Sequence, residues 1–154
     1  MADVTPIPPG YPRVIPYLSI DGAAAAIEFY VQVLGAVEGV RMDAPDGKVG
    51  HAELAFGDSM VMLADVFPDM GGRSPKDLGG TPVTVMLYVE DVDACFQRAL
   101  DHGATEKAKL QDQFYGDRSG SFEDPFGHVW YVASHIEDVP PEEMARRAAA
   151  VMSG

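Results

Sequence analysis

The sequence predicts an α+β fold in which one β-α-β-β-β module occurs twice in tandem, followed by an extra C-terminal helix. Three observations carry this. Short apolar runs and a helix-periodic stretch follow each other in the same order in both halves of the 154-residue chain. The stretch GHAELAFG at 50–57 has an echo in GSFEDPFG at 120–127, with Gly, Glu, Phe and Gly at four of eight matching positions. Leu18 and Leu87, in the two opening runs, are 69 residues apart, close to the 70 that separate the echoes. Landmarks that agree in spacing point to internal duplication.

Residues 1–12 hold four prolines and read as an extended N-terminal arm. The first module spans 13–67. VIPYLSI (14–20) is a strand by its β-branched and aromatic content. In the following DGAAAAIEFYVQVLGA, Asp21 is the expected N-cap, Ile27, Tyr30, Val31 and Leu34 recur at helical spacing, and Gly35 stands where a C-cap glycine belongs. VEGVRM, VGHAELAF and SMVMLADVF then read as strands separated by turn-rich APDGK and by GD. Residues 68–82 are rich in Gly and Pro and read as an inter-module loop. The second module spans 83–136: strand VTVMLYV, a helix opened by Glu90 or Asp91 and ended by Gly103, then strands in TEKAKLQDQF, RSGSFED and HVWYVASH. In the last segment, 137–154, Pro141 suits a first helical position, and Glu142–Arg146 and Glu143–Arg147 are spaced to pair.

Charge narrows the partners. Eleven basic against 24 acidic residues give a net charge of −13, which repels nucleic-acid phosphates and anionic lipid, so neither nucleic acid nor membrane is an expected partner. The N-terminal stretch has no charged segment leading into an apolar one, and no apolar run approaches a membrane span, so a cytoplasmic location is expected. The single cysteine, Cys95, excludes an intrachain disulfide and a Cys-based zinc cluster, and its apolar neighbours mark it as a buried small hydrophobe.

The tandem modules, the helix segment IEFYVQVLGA, the strand pair HAELAFGDSMVML and the stretch DPFGHVW resemble the vicinal oxygen chelate superfamily, in particular its PhnB-like group. This superfamily includes glyoxalases, bleomycin-resistance proteins and extradiol dioxygenases. The resemblance covers about residues 13–136. It implies a mixed sheet curving into a cup, helices outside, a small-molecule ligand in the cup and a homodimer. It also implies a divalent metal held by His and Glu on the outer strands of each module. Those ligand places fall here on Ile15, the Val61–Leu63 stretch, Thr84 and Tyr131, none of which is a carboxylate or an imidazole. No resident cofactor is therefore expected. The alternative is a relocated metal on His51, Glu53 and Glu123, the last being the echo counterpart of Glu53.

Strand alternation puts His51 and Glu53 on one face and Ala52, Leu54 and Phe56 on the other, the apolar trio facing the helices. The same alternation, with the family pattern, lines the cup with Tyr17, Ser19, Thr84, Met86, Tyr88 and Tyr131, and brings Tyr115, Asp117 and Arg118 in from the approach to the seventh strand. The candidate ligand-binding residues are Tyr17, His51, Glu53, Met62, Met86, Tyr88, Tyr115, Arg118 and Tyr131, with His51 and Glu53 the candidate catalytic pair. Arg118 would clamp an anionic ligand group, or else form a salt bridge to Asp117 or Glu123. His128 reads as a turn residue, Trp130 as core, His102 as a helix end and His135 as a surface residue.

Three functions follow. The first is a metal-free protein that binds or sequesters a small organic molecule. The second is a lyase, isomerase or dioxygenase that uses His51 and Glu53 with a metal, or His51 as a general base. The third is an interaction module whose dimer surface matters more than its cup.

Overall fold

The computed structural model describes residues 3–154, so the first two residues of the expected arm lie outside the described residues. The chain divides into two compact units, one extending to Gly79 and the other spanning Gly80–Gly154.

In the first unit, β1 (Tyr17–Ile20), α1 (Ala23–Leu34), β2 (Val37–Asp43), β3 (Val49–Phe56) and β4 (Ser59–Asp65) follow the expected order. The sheet order is β1-β4-β3-β2, with β1 parallel to β4 and the other pairs antiparallel. Leu18, Ile20, Ala52, Leu54, Val61 and Leu63 are buried, as are Ala23, Ala26, Ile27, Tyr30 and Val33 of α1, which packs on β3 and β4. The opposite face, left open by the helix, carries Tyr17, Ser19, His51, Glu53 and Met62. Two details differ from expectation. The first strand begins at Tyr17, leaving Ile15 outside it. The α1 N-terminus is capped from β4 and not by Asp21: Gly22, in the left-handed region at φ 94°, and Ala23 both donate to Asp65 Oδ1 at 3.0 Å. Gly35 closes the helix as expected.

The stretch 68–82 is more ordered than its Gly and Pro content suggested. It contains a 3₁₀ turn, Pro68–Met70, and a short helix α2 (Pro75–Leu78). Ser74 and Asp77 form a reciprocal capping box there, so SPKD carried a helix-start signal that composition hid.

The second unit repeats the design with β5 (Thr84–Tyr88), α3 (Val92–Asp101), β6 (Thr105–Asp112), β7 (Asp117–Glu123) and β8 (Val129–His135), and adds α4 (Pro141–Met152). The sheet order is β5-β8-β7-β6, with β5 parallel to β8. Phe122, Trp130 and Val132 are buried, with Val92, Cys95, Phe96 and Ala99 on α3. Phe96 meets Phe122 edge-on at 6.1 Å. A Cβ at Gly120 would meet the Phe96 ring and the Ala108 carbonyl at 3.0 Å, so the echo glycine admits the ring. Burial pushes the Cys95 thiol pKa up, as expected of a core cysteine. Among the described residues, no helix is long and apolar enough to cross a membrane.

Duplication is visible in the hydrogen bonds. Asp65 accepts from Ala23 N in the first unit, and in the second Ser134 Oγ accepts from Val92 N. Both pairs are related by 69 residues. The echo motifs, however, are not structurally equivalent. In-register rows run Tyr17–Met62–Glu53 and Met86–Tyr131–Ser121. The counterpart of Glu53 is therefore Ser121, and that of His51 is Ser119. Glu123 is not the partner of Glu53 that the echo implied. The β3–β4 hairpin turns through Gly57 and Asp58 alone, whereas β7–β8 turns through residues 124–128, so the same letters sit at different points of the ladder.

Candidate functional site

The open face of the first sheet gathers a continuous polar chain. Tyr17 Oη lies 2.8 Å from His51 Nδ1, and His51 Nε2 lies 3.3 Å from Glu53 Oε1. The Tyr11 hydroxyl, from the proline-rich arm, donates to both Glu53 oxygens at 3.0 and 3.2 Å. Each member has a local cause. His51 and Glu53 are two apart on β3, so they share a face. Glu53 stands in register with Met62 and, through it, with Tyr17. Glu53 is only 7% exposed, and a buried carboxylate needs such donors. The Tyr11 phenol pKa is raised by its hydrogen bond to Glu53, and that of Tyr17 by burial and then by the Glu53 charge, so both phenols hold their protons.

Beside this chain lies a groove of about 390 Å³, lined by Tyr17, Ser19 and Ala64 and by Val66, Phe67 and Met70 of the following segment. Asp65 also lines it, but its carboxylate is engaged by the N–H groups of Gly22, Ala23 and Val49. Tyr17 alone belongs to both groove and polar chain. Phe67 was not among the sequence candidates. It follows the last strand, and only the path of the chain after β4 brings it to the wall.

The open face of the second sheet holds different networks. Tyr131 Oη hydrogen-bonds with Tyr115 Oη at 2.7 Å and with Ser119 Oγ. Burial, then this bond, raises the Tyr115 pKa. Tyr88 donates to Asp117 Oδ2 at 2.7 Å, which raises the Tyr88 pKa. His135 bridges Asp117 Oδ1 and Asp138 Oδ1, both at 2.8 Å, and these bonds raise its pKa. His135, exposed as the sequence suggested, is thus also a clamp joining strand end to C-terminal segment. Met86 sits in the same row as Tyr131.

Arg118 departs most from expectation. It pairs with Ser134 on the helix-facing side of β7, and its guanidinium binds Asp93 of α3 through two nitrogens at 2.8 Å and Asp112 at 3.0 Å. These carboxylates, and not Asp117 or Glu123, take its charge. Alternation decides this: Arg118, Gly120 and Phe122 share one face, Asp117, Ser119 and Ser121 the other. His128 and Trp130 take their expected places, the former in the β7–β8 turn and the latter in the core. The indole donates to Asp124 Oδ2 at 3.0 Å.

The donors do not compose the divalent-metal site that the resemblance implies. Both nitrogens of His51 and both oxygens of Glu53 already have partners. Met62 occupies the β4 position in their row. Among the described residues, no three His, Cys, Asp or Glu side chains converge as a metal would require.

Comparison with known proteins sets this geometry in context. A family model described as Glyoxalase/Bleomycin resistance protein/Dioxygenase superfamily matches residues 16–132. The uncharacterised protein Rv0887c of Mycobacterium tuberculosis is 50% identical over 136 residues, covering 86% of this chain and 80% of that protein. Among solved structures, TioX from Micromonospora sp. ML1 is 26% identical with a TM-score of 0.63, covering 84% of this chain and all of that one. The fosfomycin resistance protein FosX from Listeria monocytogenes, solved with Mn(II) and sulfate, shares the fold at 16% identity and a TM-score of 0.62, covering 89% of this chain and 97% of that one.

Proposed function

Because the chain belongs to the Glyoxalase/Bleomycin resistance protein/Dioxygenase superfamily, we propose that its first unit binds a small organic molecule against the open face of its sheet, without the metal usual in that superfamily. The observation that supports this is the Tyr11–Glu53–His51–Tyr17 chain standing beside the groove. Apolar walls with a few fixed polar groups are the common character of small-molecule sites. The test is a screen of small organic molecules by thermal shift with and without EDTA, followed by calorimetry on the hits. Saturable binding that His51→Ala weakens supports the reading, and binding abolished by EDTA contradicts it.

A second reading is supported by the His51–Glu53 contact itself: metal-free proton transfer with His51 as general base and Glu53 orienting the ring. Loss of turnover in His51→Ala with an unchanged circular dichroism spectrum would favour it over plain binding. The homodimer is proposed on the same family footing. Val37, Val40 and Met42 lie exposed on β2, an edge strand, and sedimentation would test it.

A further inference from the structure

We propose that the groove beside Tyr17 selects ligands that bring a hydrogen-bond donor, foremost an aromatic hydroxyl, over ligands that only accept, because the Tyr17 proton is already held by His51. This rests on the binding reading above and adds the ligand class.

The positions of the protons decide this polarity. An ionised carboxylate only accepts, so Glu53 receives a proton from the Tyr11 hydroxyl and another from His51 Nε2. In the neutral imidazole one nitrogen carries the hydrogen and the other a lone pair. With the ring neutral and its hydrogen on Nε2, facing the carboxylate, Nδ1 is the acceptor, and the partner at 2.8 Å is the Tyr17 hydroxyl. Tyr17 therefore turns its proton inward to His51 and leaves oxygen lone pairs for the groove that it lines. The raised phenol pKa of Tyr17 agrees with a proton firmly held.

Tyr17 is the one aromatic hydroxyl among the residues that line the groove. The Asp65 carboxylate accepts from three backbone N–H groups, and Ser19 already has an interaction within the protein. The remaining wall is apolar and includes Phe67 and Met70, which suit a flat ring. A ligand ether or carbonyl oxygen would set its lone pairs against those of Tyr17. A ligand hydroxyl would donate to them.

The test compares 2-naphthol with 2-methoxynaphthalene, two flat molecules that differ in that donor, by equilibrium dialysis at pH 8 against the wild-type chain and Tyr17→Phe. The expected result is that the wild type binds 2-naphthol about fivefold more tightly, the equivalent of one net hydrogen bond. In Tyr17→Phe the ratio falls to about one through loss of 2-naphthol affinity alone. Tyr17→Phe keeps the ring on the groove wall, and an unchanged melting temperature verifies its fold. Equal binding of the two probes by the wild type overturns the proposal and leaves the binding reading standing. So does a preference that persists in Tyr17→Phe. Binding of neither probe by the wild type overturns the proposal, and the screen then decides the binding reading on its own.

Discussion

The two units place a tyrosine, a carboxylate and an imidazole on the open face of each sheet, and use them differently. In the first, His51 and Glu53 are neighbours within β3, the carboxylate is closed off by Tyr11 from the arm, and the chain ends at Tyr17 on a groove. In the second, Asp117 opens β7 and His135 ends β8, so the same chemistry ties a strand end to the segment leading into α4. That segment is held further by Arg147, which binds Glu137 and the Phe114 carbonyl. The contrast teaches that residue type does not assign a role. What each network is joined to does: a groove in one unit, a terminal segment in the other.

The largest expected effect comes from breaking the second network's support. Gly116 has φ 99°, and a Cβ there would clash with the Glu137 carbonyl. Gly116→Ala should cost about 3 kcal/mol or more, read by denaturant unfolding. Asp117→Ala should come next. It leaves the Tyr88 hydroxyl and His135 without their partner at a residue only 4% exposed. A loss of about 2–3 kcal/mol is expected. Asp65→Ala, which strips the α1 cap, should cost about 1–2 kcal/mol. Glu143 binds Arg147 in α4 as expected and also takes Arg146, which the spacing had given to Glu142, and its pKa is lowered to about 2.

A pH dependence sharpens the comparison. The His135 pKa is raised first by its bond to Asp117 and then by Asp138, so its contribution is fully present below the unfolded-state value and is lost as pH rises through the folded-state value. Unfolding curves from pH 6 to 9 should show stability declining over that window, and His135→Gln should flatten the decline. The smallest effect on stability, and the largest on binding, is expected at the first network. Glu53→Gln and His51→Ala should shift unfolding by about 1 kcal/mol while weakening ligand binding. If Asp117→Ala abolished binding without destabilising the chain, the two roles would be reversed.

Most of the fold was legible because duplication wrote it twice: apolar alternation, Gly35 and Asp91 as caps, and Pro141 opening α4 each follow from local rules. The pairing of His51 with Glu53 was legible for the same reason, being set by a spacing of two on one strand. What escaped was what hairpin length controls. A two-residue turn in one unit and a five-residue turn in the other put Ser121, not Glu123, opposite Tyr131. Arg118 reaches the open face only if it belongs to a loop, whereas β7 begins at Asp117 and alternation turns Arg118 to α3. Tyr11, Phe67 and the clamp at His135 depend on where chain ends and loops return, which no local pattern records.

The central claim is that a small organic molecule binds on the open face of the first sheet. Amide chemical-shift mapping of the isotope-labelled chain, titrated in EDTA with a hit from the small-molecule screen, tests it most directly. Saturable shifts centred on residues 17–19, 50–53 and 64–72, weakened in His51→Ala, are the expected result. Shifts confined to the second unit, or a screen with no saturable binder, would contradict it.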